Sequence, residues 1–462
     1  MKVLLVNSPW QKVKTNLWRY VSGVSPNSGL ASLAAYILQA GAEVDFIDAP
    51  AEGLSPEEVP SGAKFGDYDY IGISSASGAF PLALLTAKVL KSAFPQAKIV
   101  LGGCHPTAMP DEALSSHDVD FIVRGEGEET FLELISGKDP EKISGLSYRI
   151  ENEHVHNPGR ELLPDLDVLP VPAYHLLPMH LYRPPLGGYR ATPAISMMTA
   201  RGCPGRCTFC FHRLWGGKVR SRSPEKVMEE IDYLRNSFGI REVTFYDDTF
   251  TFNKKRTREL CLKLAGLRPK LSWACEARVD TVDTETLGLM AEAGCHQVCF
   301  GIESASNEVL ENLNKRINLD MAGGVVREAQ KAGMNVRCAF MIGNPGDNRE
   351  TMEQTLKLAR DLKPDVVQFN ITTPFPGTEM FDWADEKGCL ITKDWSFYDH
   401  AHAVMNLPGA PPELVEDYYN RSHRNFYMRP EFIVKKALKI RSPGEAWMNA
   451  KAFFSILLQP RE

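Results

Sequence analysis

The chain has 462 residues, 44% hydrophobic and 24% charged, an ordinary globular composition with apolar material for about three domains. Lys+Arg 52 against Asp+Glu 58 give a net charge of −6, which excludes a global basic signal for nucleic acid. Ten cysteines are too sparse for a disulfide scaffold, the opening MKVLLVNSPW is too short for a secretory signal, and no run of about 18 apolar residues occurs, so a soluble protein of the reducing cytoplasm is expected.

From the amino terminus, Lys2–Asn7, Glu43–Asp48, Asp69–Ser74, Lys98–Gly103 and Val119–Arg124 read as buried strands alternating with helices, which makes residues 1–150 one doubly wound α/β domain. Its first helix, Ser28–Gln39, stops at Gly41, and another runs from near Pro81 to just before Pro95. The loops at the carboxyl ends of the strands are small and polar: Asn7-Ser8-Pro9, Ser74-Ser75-Ala76-Ser77, Gly102-Gly103-Cys104-His105 and Arg124-Gly125-Glu126-Gly127-Glu128. Such loops suit a ligand in the crevice of an open sheet, and a partner-docking module that binds nothing is the plainer alternative. Residues 151–193 read as a semi-rigid linker, with eight prolines between Pro158 and Pro193. Strands resume at Ala194–Thr199, Glu242–Tyr246, Ser272–Glu276, Gln297–Ile302, Val336–Met341 and Val366–Ile371, with helices between them such as Pro224–Phe238, Asp283–Ala293 and Arg349–Leu362. Six βα units over residues 194–389 fall two short of an eightfold barrel, so a partial barrel is expected. Residues 390–462 read as a small helical domain that includes Glu413–Tyr427 and Glu445–Leu458, and no internal repeat occurs.

Three cysteines fall within eight residues, Cys203-Pro-Gly-Arg-Cys207-Thr-Phe-Cys210, directly after the first barrel strand. Three thiolates on one tight loop can hold three irons of a [4Fe–4S] cluster and leave the fourth iron open for an external ligand. A zinc site would want a fourth protein ligand, for which His212 is the only nearby candidate. Cys104, Cys261, Cys275, Cys295, Cys299, Cys338 and Cys389 are scattered and read as small core hydrophobes, which argues against an auxiliary cluster and against methylthio transfer.

The CxxxCxΦC pattern, with Phe209 as its aromatic, resembles the signature of the radical S-adenosylmethionine (SAM) enzymes, and later segments resemble that family's SAM motifs in order. The resemblance implies that Asp247 and Asp248 receive the methionyl amino group, that Arg278 faces the SAM carboxylate, that Glu303 and Ser304 lie at the ribose and that Gly343 lies beside the adenine. Bland readings stay open for each: strand-end turn residues for the aspartates, a surface ion pair for Arg278, ordinary turns for the glycines.

With a doubly wound domain ahead of the barrel, the whole chain resembles the cobalamin-binding radical SAM enzymes, which include anaerobic cyclases and carbon methyltransferases. The resemblance implies cobalamin held by Ser8, Ser74, Ser75, Gly102, Gly103, His105, Gly125 and Glu126. The DxHxxG histidine of other cobalamin domains is absent, since the corresponding strand end reads Asp48-Ala49-Pro50-Ala51-Glu52-Gly53, so base-off cobalamin without that ligand is implied. His105 is open to cobalt coordination, to a corrin hydrogen bond or to a purely structural place. The implied chemistry is reductive cleavage of SAM to a 5′-deoxyadenosyl radical, hydrogen abstraction from an unactivated carbon, and methyl transfer from methylcobalamin. The alternatives are a cyclase or oxidase acting on a tetrapyrrole, lipid or natural product, and a non-catalytic cobalamin-binding regulator with a structural cluster.

A small-molecule or lipid substrate and a flavodoxin- or ferredoxin-type electron donor are the implied partners. Tyr182, Tyr189, Trp215, Trp395, Phe397 and Tyr398 could line an apolar pocket or simply pack. Residues 421–462 hold nine Lys/Arg against three Asp/Glu, a local +6 that leaves −12 for the first 420 residues. That basic tail reads as a helix capping the barrel, with contact to a membrane surface or to an acidic electron donor as the functional alternatives.

Overall fold

Parallel strands covered on both faces read as unbroken apolar runs, and β1 (Lys2–Asn7) shows why: Val3, Leu4, Leu5 and Val6 are all fully buried. Val3 and Leu5 pack with the helices Ser28–Gln39 and Glu128–Ile135, whereas Leu4 and Val6 pack against the helix Phe80–Ala93 on the other face. The computed structural model describes residues 1–10, 23–185, 188–212 and 214–438, with 446, 447, 449–451 and 453. Its first sheet continues with β2 (Glu43–Asp48), β3 (Tyr70–Ser74), β4 (Lys98–Gly102), β5 (Phe121–Val123), β6 (Leu146–Ile150) and β7 (Glu153–His156), in the order β2-β1-β3-β4-β5-β6-β7. The five predicted strands are the parallel ones, and β6 and β7 add an antiparallel hairpin at the edge. Sequence reading missed that hairpin because β7 is polar and half exposed, and it lies beyond residue 150 where the linker was drawn.

The proline-rich stretch is docked along its length rather than spanning free space. Tyr174 is fully buried and donates to Glu230 at 2.7 Å, Tyr182 donates to Asp48 at 2.7 Å, and the backbone N–H groups of Arg190 and Ala191 both reach Glu242 Oε2 at 2.7 Å. Fixed φ angles keep the ordering entropy of such a segment small, and each tyrosine spends its hydroxyl on a carboxylate of a flanking domain.

The second sheet is six parallel strands in sequence order: β8 (Ala194–Met197), then β11 (Glu242–Phe245), β12 (Ser272–Ala277), β13 (Cys295–Glu303), β14 (Asn335–Ile342) and β15 (Val366–Ile371). A two-residue antiparallel ribbon, β9 (Ala200–Arg201) with β10 (Arg220–Ser221), follows β8. β8 and β15 are both edges, so the barrel is open, as the count of six units predicts. Alternation sorts each strand: Val243, Phe245, Trp273, Phe300 and Phe340 are buried under the surrounding helices, and their polar neighbours Thr244, Glu276, Cys299 and Arg337 occupy the other face. The helix Pro412–Tyr427 closes the β15 side, with Tyr427 Oη donating to the Val367 carbonyl. The basic tail is described to residue 438, where a helix Pro430–Ala437 follows Tyr427, whereas most of the stretch Glu445–Leu458 lies outside the described residues. Among the described residues no helix is long and apolar enough to cross a membrane.

Candidate functional site: a cysteine loop beside an interdomain cavity

The ribbon β9–β10 closes the cysteine loop, and Gly202 makes the entry possible. Its φ is +93°, and a Cβ there would lie 2.4 Å from the Lys218 carbonyl oxygen. Within the loop, Cys210 N–H donates to the Cys207 carbonyl at 3.1 Å, and His212 Nε2 reaches the same oxygen at 2.9 Å. His212 is thereby turned onto the backbone and is not placed as a fourth ligand for zinc. A Cβ built on Gly205 would lie 3.4 Å from Cys203 Sγ, 3.9 Å from Cys207 Sγ and 3.4 Å from Arg278 Nη1, so both sulfurs and that guanidinium share one side of the loop. Burial pushes the Cys207 thiol up in pKa, opposed by the charges of Lys315 and Arg278, while Cys210 is exposed.

Around the loop stand residues from the ends of β11, β12 and β13. Cys203 Sγ lies 3.6 Å from Thr249 Oγ1. Arg278 is held in a fork by Asp280 at 2.9 and 2.8 Å and donates to the Arg316 carbonyl at 3.2 Å. Glu303, in the left-handed region at φ +68°, is paired with Lys315 Nζ at 2.8 Å, both almost wholly buried. The turn at residues 312–316 is stitched to the cysteine loop, since Asn314 Nδ2 donates to the Arg206 carbonyl at 2.7 Å and Thr208 N–H to the Leu313 carbonyl at 3.0 Å. Glu276, Cys299 and Arg337 lie in register across β12, β13 and β14, and Arg337 Nε is buried with no hydrogen-bond partner among the described residues.

Beside this loop, a cavity of about 1370 Å³ lies between the two domains, beyond the roughly 300–1,000 Å³ usual for drug-sized ligands, and Arg201, Leu214 and Trp215 at the ends of the loop reach it. Ser8, Ser74, Ser75, Gly102, Gly103, Gly125 and Glu126 line its first-domain wall, and Tyr189, Met198, Arg201, Leu214 and Trp215 line the barrel wall. Gly103 has φ +98°, and a Cβ there would meet the Ser75 carbonyl oxygen at 2.6 Å. Gly103→Ala is therefore expected to strain the β4 loop by about 1–3 kcal/mol and to lower corrin uptake per chain, read from visible absorbance.

Two family models match the chain: the radical SAM superfamily over residues 197–359 and the B12 binding domain over residues 17–135. The uncharacterized methyltransferase PH0819 of Pyrococcus horikoshii is 37% identical over 442 residues, covering 94% of both chains. The chain belongs to the cobalamin-binding radical SAM family. The anaerobic magnesium-protoporphyrin IX monomethyl ester cyclase of Cereibacter sphaeroides is 28% identical over 423 residues, 88% of this chain and 68% of that one. The fold is that of the cobalamin-dependent SAM radical enzyme OxsB, with a TM-score of 0.74 at 18% identity over 99% of this chain and 72% of that one.

As a member of the cobalamin-binding radical SAM family the chain is suited to a [4Fe–4S] cluster, SAM and cobalamin, and its residues fit all three. Three cysteines on one loop leave an open coordination position, the unpartnered Arg337 Nε offers a donor to a bound polar ligand, and the small residues Ser74, Ser75, Gly102, Gly103 and Gly125 leave the cavity wall open to a large ligand. Five residues singled out from the sequence are turned elsewhere. Asp247 is buried, and its oxygens accept from Thr199 N and Oγ1 at 2.5 Å and from Ala200 N at 2.9 Å, so it buttresses the start of the loop while the neighbouring Asp248 stays exposed. Ser304 is fully buried and accepts from Ser306 N–H at 3.1 Å. Gly343, at φ +80°, is packed under Val415, whose Cγ1 would lie 2.8 Å from a Cβ. His105 is fully buried between Phe80 and Trp395, with Nδ1 3.1 Å from Ser77 Oγ and Nε2 3.3 Å from Glu112, and it does not line the cavity. Glu126 lines the cavity, but its oxygens are taken by Arg201, Arg220 and Leu163 N–H.

Sequence reading missed Lys315, Thr249 and Arg337. Lys315 follows a short helix with no motif of its own, and Arg337 is one of several polar alternations along β14. Asp48 was noted only for lacking a histidine after it. It is buried at the end of β2, bonded to Asn7 Nδ2 at 2.9 Å and to Tyr182, which ties the linker to the cavity floor.

Proposed function

We propose that this enzyme transfers a methyl group to an unactivated carbon of a small-molecule substrate lodged between the cysteine loop and the cofactor cavity. The observation that carries the reading is the shared wall: Leu214 and Trp215, a few residues after Cys210, line the same cavity as the glycine loops at residues 102–103 and 125–127. When bound, the cluster supplies an electron, SAM a 5′-deoxyadenosyl radical, and methylcobalamin the methyl group. Cys203, Cys207 and Cys210 would each hold one iron of the cluster. Asp248 accepts from the methionyl amino group, and Arg278, kept in one orientation by Asp280, meets the carboxylate. Lys315 holds Glu303 toward the ribose side and brings a positive charge to the anionic thiolate loop. The glycine loops let the corrin approach the backbone closely, and the apolar Met198, Leu214 and Trp215 exclude water from a radical centre. A flavodoxin- or ferredoxin-type protein delivers the electron.

Cyclisation or oxidation of the same substrate radical is the second reading, supported by the similarity to the anaerobic cyclase. Protein grown with hydroxocobalamin and reconstituted anaerobically with iron and sulfide is expected to show corrin and cluster absorption, and to form 5′-deoxyadenosine from SAM and dithionite. Failure to form 5′-deoxyadenosine with an intact cluster overturns the enzymatic reading. A product heavier than its substrate by one CH₂ supports methyl transfer, and one lighter by two hydrogens supports cyclisation.

A further inference from the structure

One carboxylate of the first domain holds both ends of the cysteine loop. The ribbon pairs Arg201 with Arg220. Arg201 Nη1 donates to Glu126 Oε1 at 2.8 Å, while Arg220 Nη1 reaches both Glu126 oxygens at 2.9 Å. The second arm of Arg201 goes to Glu128 Oε1 at 2.6 Å, and its guanidinium lies over the Trp215 ring at 5.0 Å. The side chains of Glu126, Arg201 and Arg220 are 4%, 8% and 10% exposed, so these charges are shielded from solvent screening and depend on one geometry.

The position of this clamp is what gives it a consequence. Gly125, Glu126 and Gly127 form part of the cavity wall, and Arg201 is separated from Cys203 only by Gly202, which is wedged against the Lys218 carbonyl. A shift of the glycine loop around a bound corrin is therefore passed to the cysteine loop without an intervening flexible element. The tip of the loop is tied to the barrel instead: Thr208 bonds the carbonyls of Asn312 and Leu313 and accepts from Met380 N–H, and Asn314 donates to the Arg206 carbonyl.

We propose that Glu126 is a positioning residue that registers the cofactor cavity to the cysteine loop, so that corrin occupancy tightens SAM binding at the cluster. By linkage the effect is reciprocal, and SAM tightens corrin binding by the same factor. The inference rests on the presence of both cofactors, so corrin and cluster content are read first, from visible absorption. Reconstituted full-length protein is then titrated with SAM, with and without saturating hydroxocobalamin, and the change in the cluster's EPR spectrum gives the Kd. Corrin is expected to lower that Kd by about fivefold or more and to slow amide hydrogen exchange over residues 202–219.

In Glu126→Gln both effects are expected to disappear while corrin and cluster still bind. Arg220→Met removes the outer arm together with its bonds to the Leu163 and Trp215 carbonyls, leaves the Arg201 pairs in place and is expected to weaken the coupling, which keeps the test decisive where Glu126→Gln fails to fold. Equal SAM affinity with and without corrin in the parent overturns the proposal, as does coupling that persists in both variants. A chain that builds a cluster but takes up no corrin overturns the two-cofactor reading and the clamp with it, whereas both cofactors bound without coupling overturns the clamp alone.

Discussion

Cys207→Ala is expected to reduce 5′-deoxyadenosine formation to background, a larger loss than the roughly 10–100-fold typical when only an outer partner of a metal ligand is removed. The loop should keep its shape in this variant. What Cys207 gives to the fold is its carbonyl, which accepts from Cys210 N–H and from His212, and those bonds survive the loss of the sulfur. Deleting one buried sulfur at a 5% exposed site costs about 1 kcal/mol, too little to unfold the barrel. A near-UV circular dichroism spectrum like the parent's, together with lost 5′-deoxyadenosine and lost cluster absorption, therefore assigns the effect to an iron ligand. Retained SAM cleavage would remove Cys207 from the site. Collapse of the fold with the cluster gone would instead favour a structural cluster.

The legible parts of the chain are those whose cause is local. Strands buried on both faces, like β1, are continuous apolar runs, and the strands of the second sheet alternate between apolar and polar residues, so the parallel strands of both sheets could be placed from the sequence to within about two residues at most ends. Three cysteines in eight residues carry their chemistry in their spacing. What was illegible depends on direction or on distance. Asp247 and Asp248 are adjacent, yet one points into the body to cap Thr199 and the other stays open, and a residue pair cannot declare which is which. The glycine loop at residues 125–127 looks like ligand chemistry, but Glu126 is committed to arginines 75 and 94 residues away. His105 sits on a loop that invites coordination and is removed from it by the aromatic pair Phe80 and Trp395, the latter 290 positions later in the chain. Interactions at such separations leave no periodicity and no motif, so they emerge only when the two domains are placed together.

The same long-range logic makes Arg222→Met the variant with the largest expected loss of stability. Arg222 is 6% and Glu230 1% exposed; they form an ion pair to which Tyr174 of the linker adds a 2.7 Å hydrogen bond. Burial holds the Glu230 carboxyl above the usual carboxylate range, and the Arg222 charge works against that shift. Removing the cation leaves a buried carboxylate with no countercharge and only the Tyr174 hydroxyl to support it, at a cost of about 3–5 kcal/mol. For a cooperative unit of this size, that corresponds to a fall of roughly 10 °C in the apparent melting temperature of the barrel. The sign of the pH dependence follows from linkage: a carboxyl whose folded pKa is raised binds protons more tightly in the native state, so stability is lost as pH rises from its ordinary value through the folded one. Loss of Arg222 raises that folded value further, and the deficit is expected to be greatest at alkaline pH and to shrink on acidification as Glu230 takes up a proton. Adding Glu230→Gln to the variant should recover part of the loss at neutral pH, because a neutral amide can still accept from Tyr174. Melting curves of the two variants and the parent at several pH values test this, and a single variant that melts within about 2 °C of the parent would show that the pair contributes no net stability.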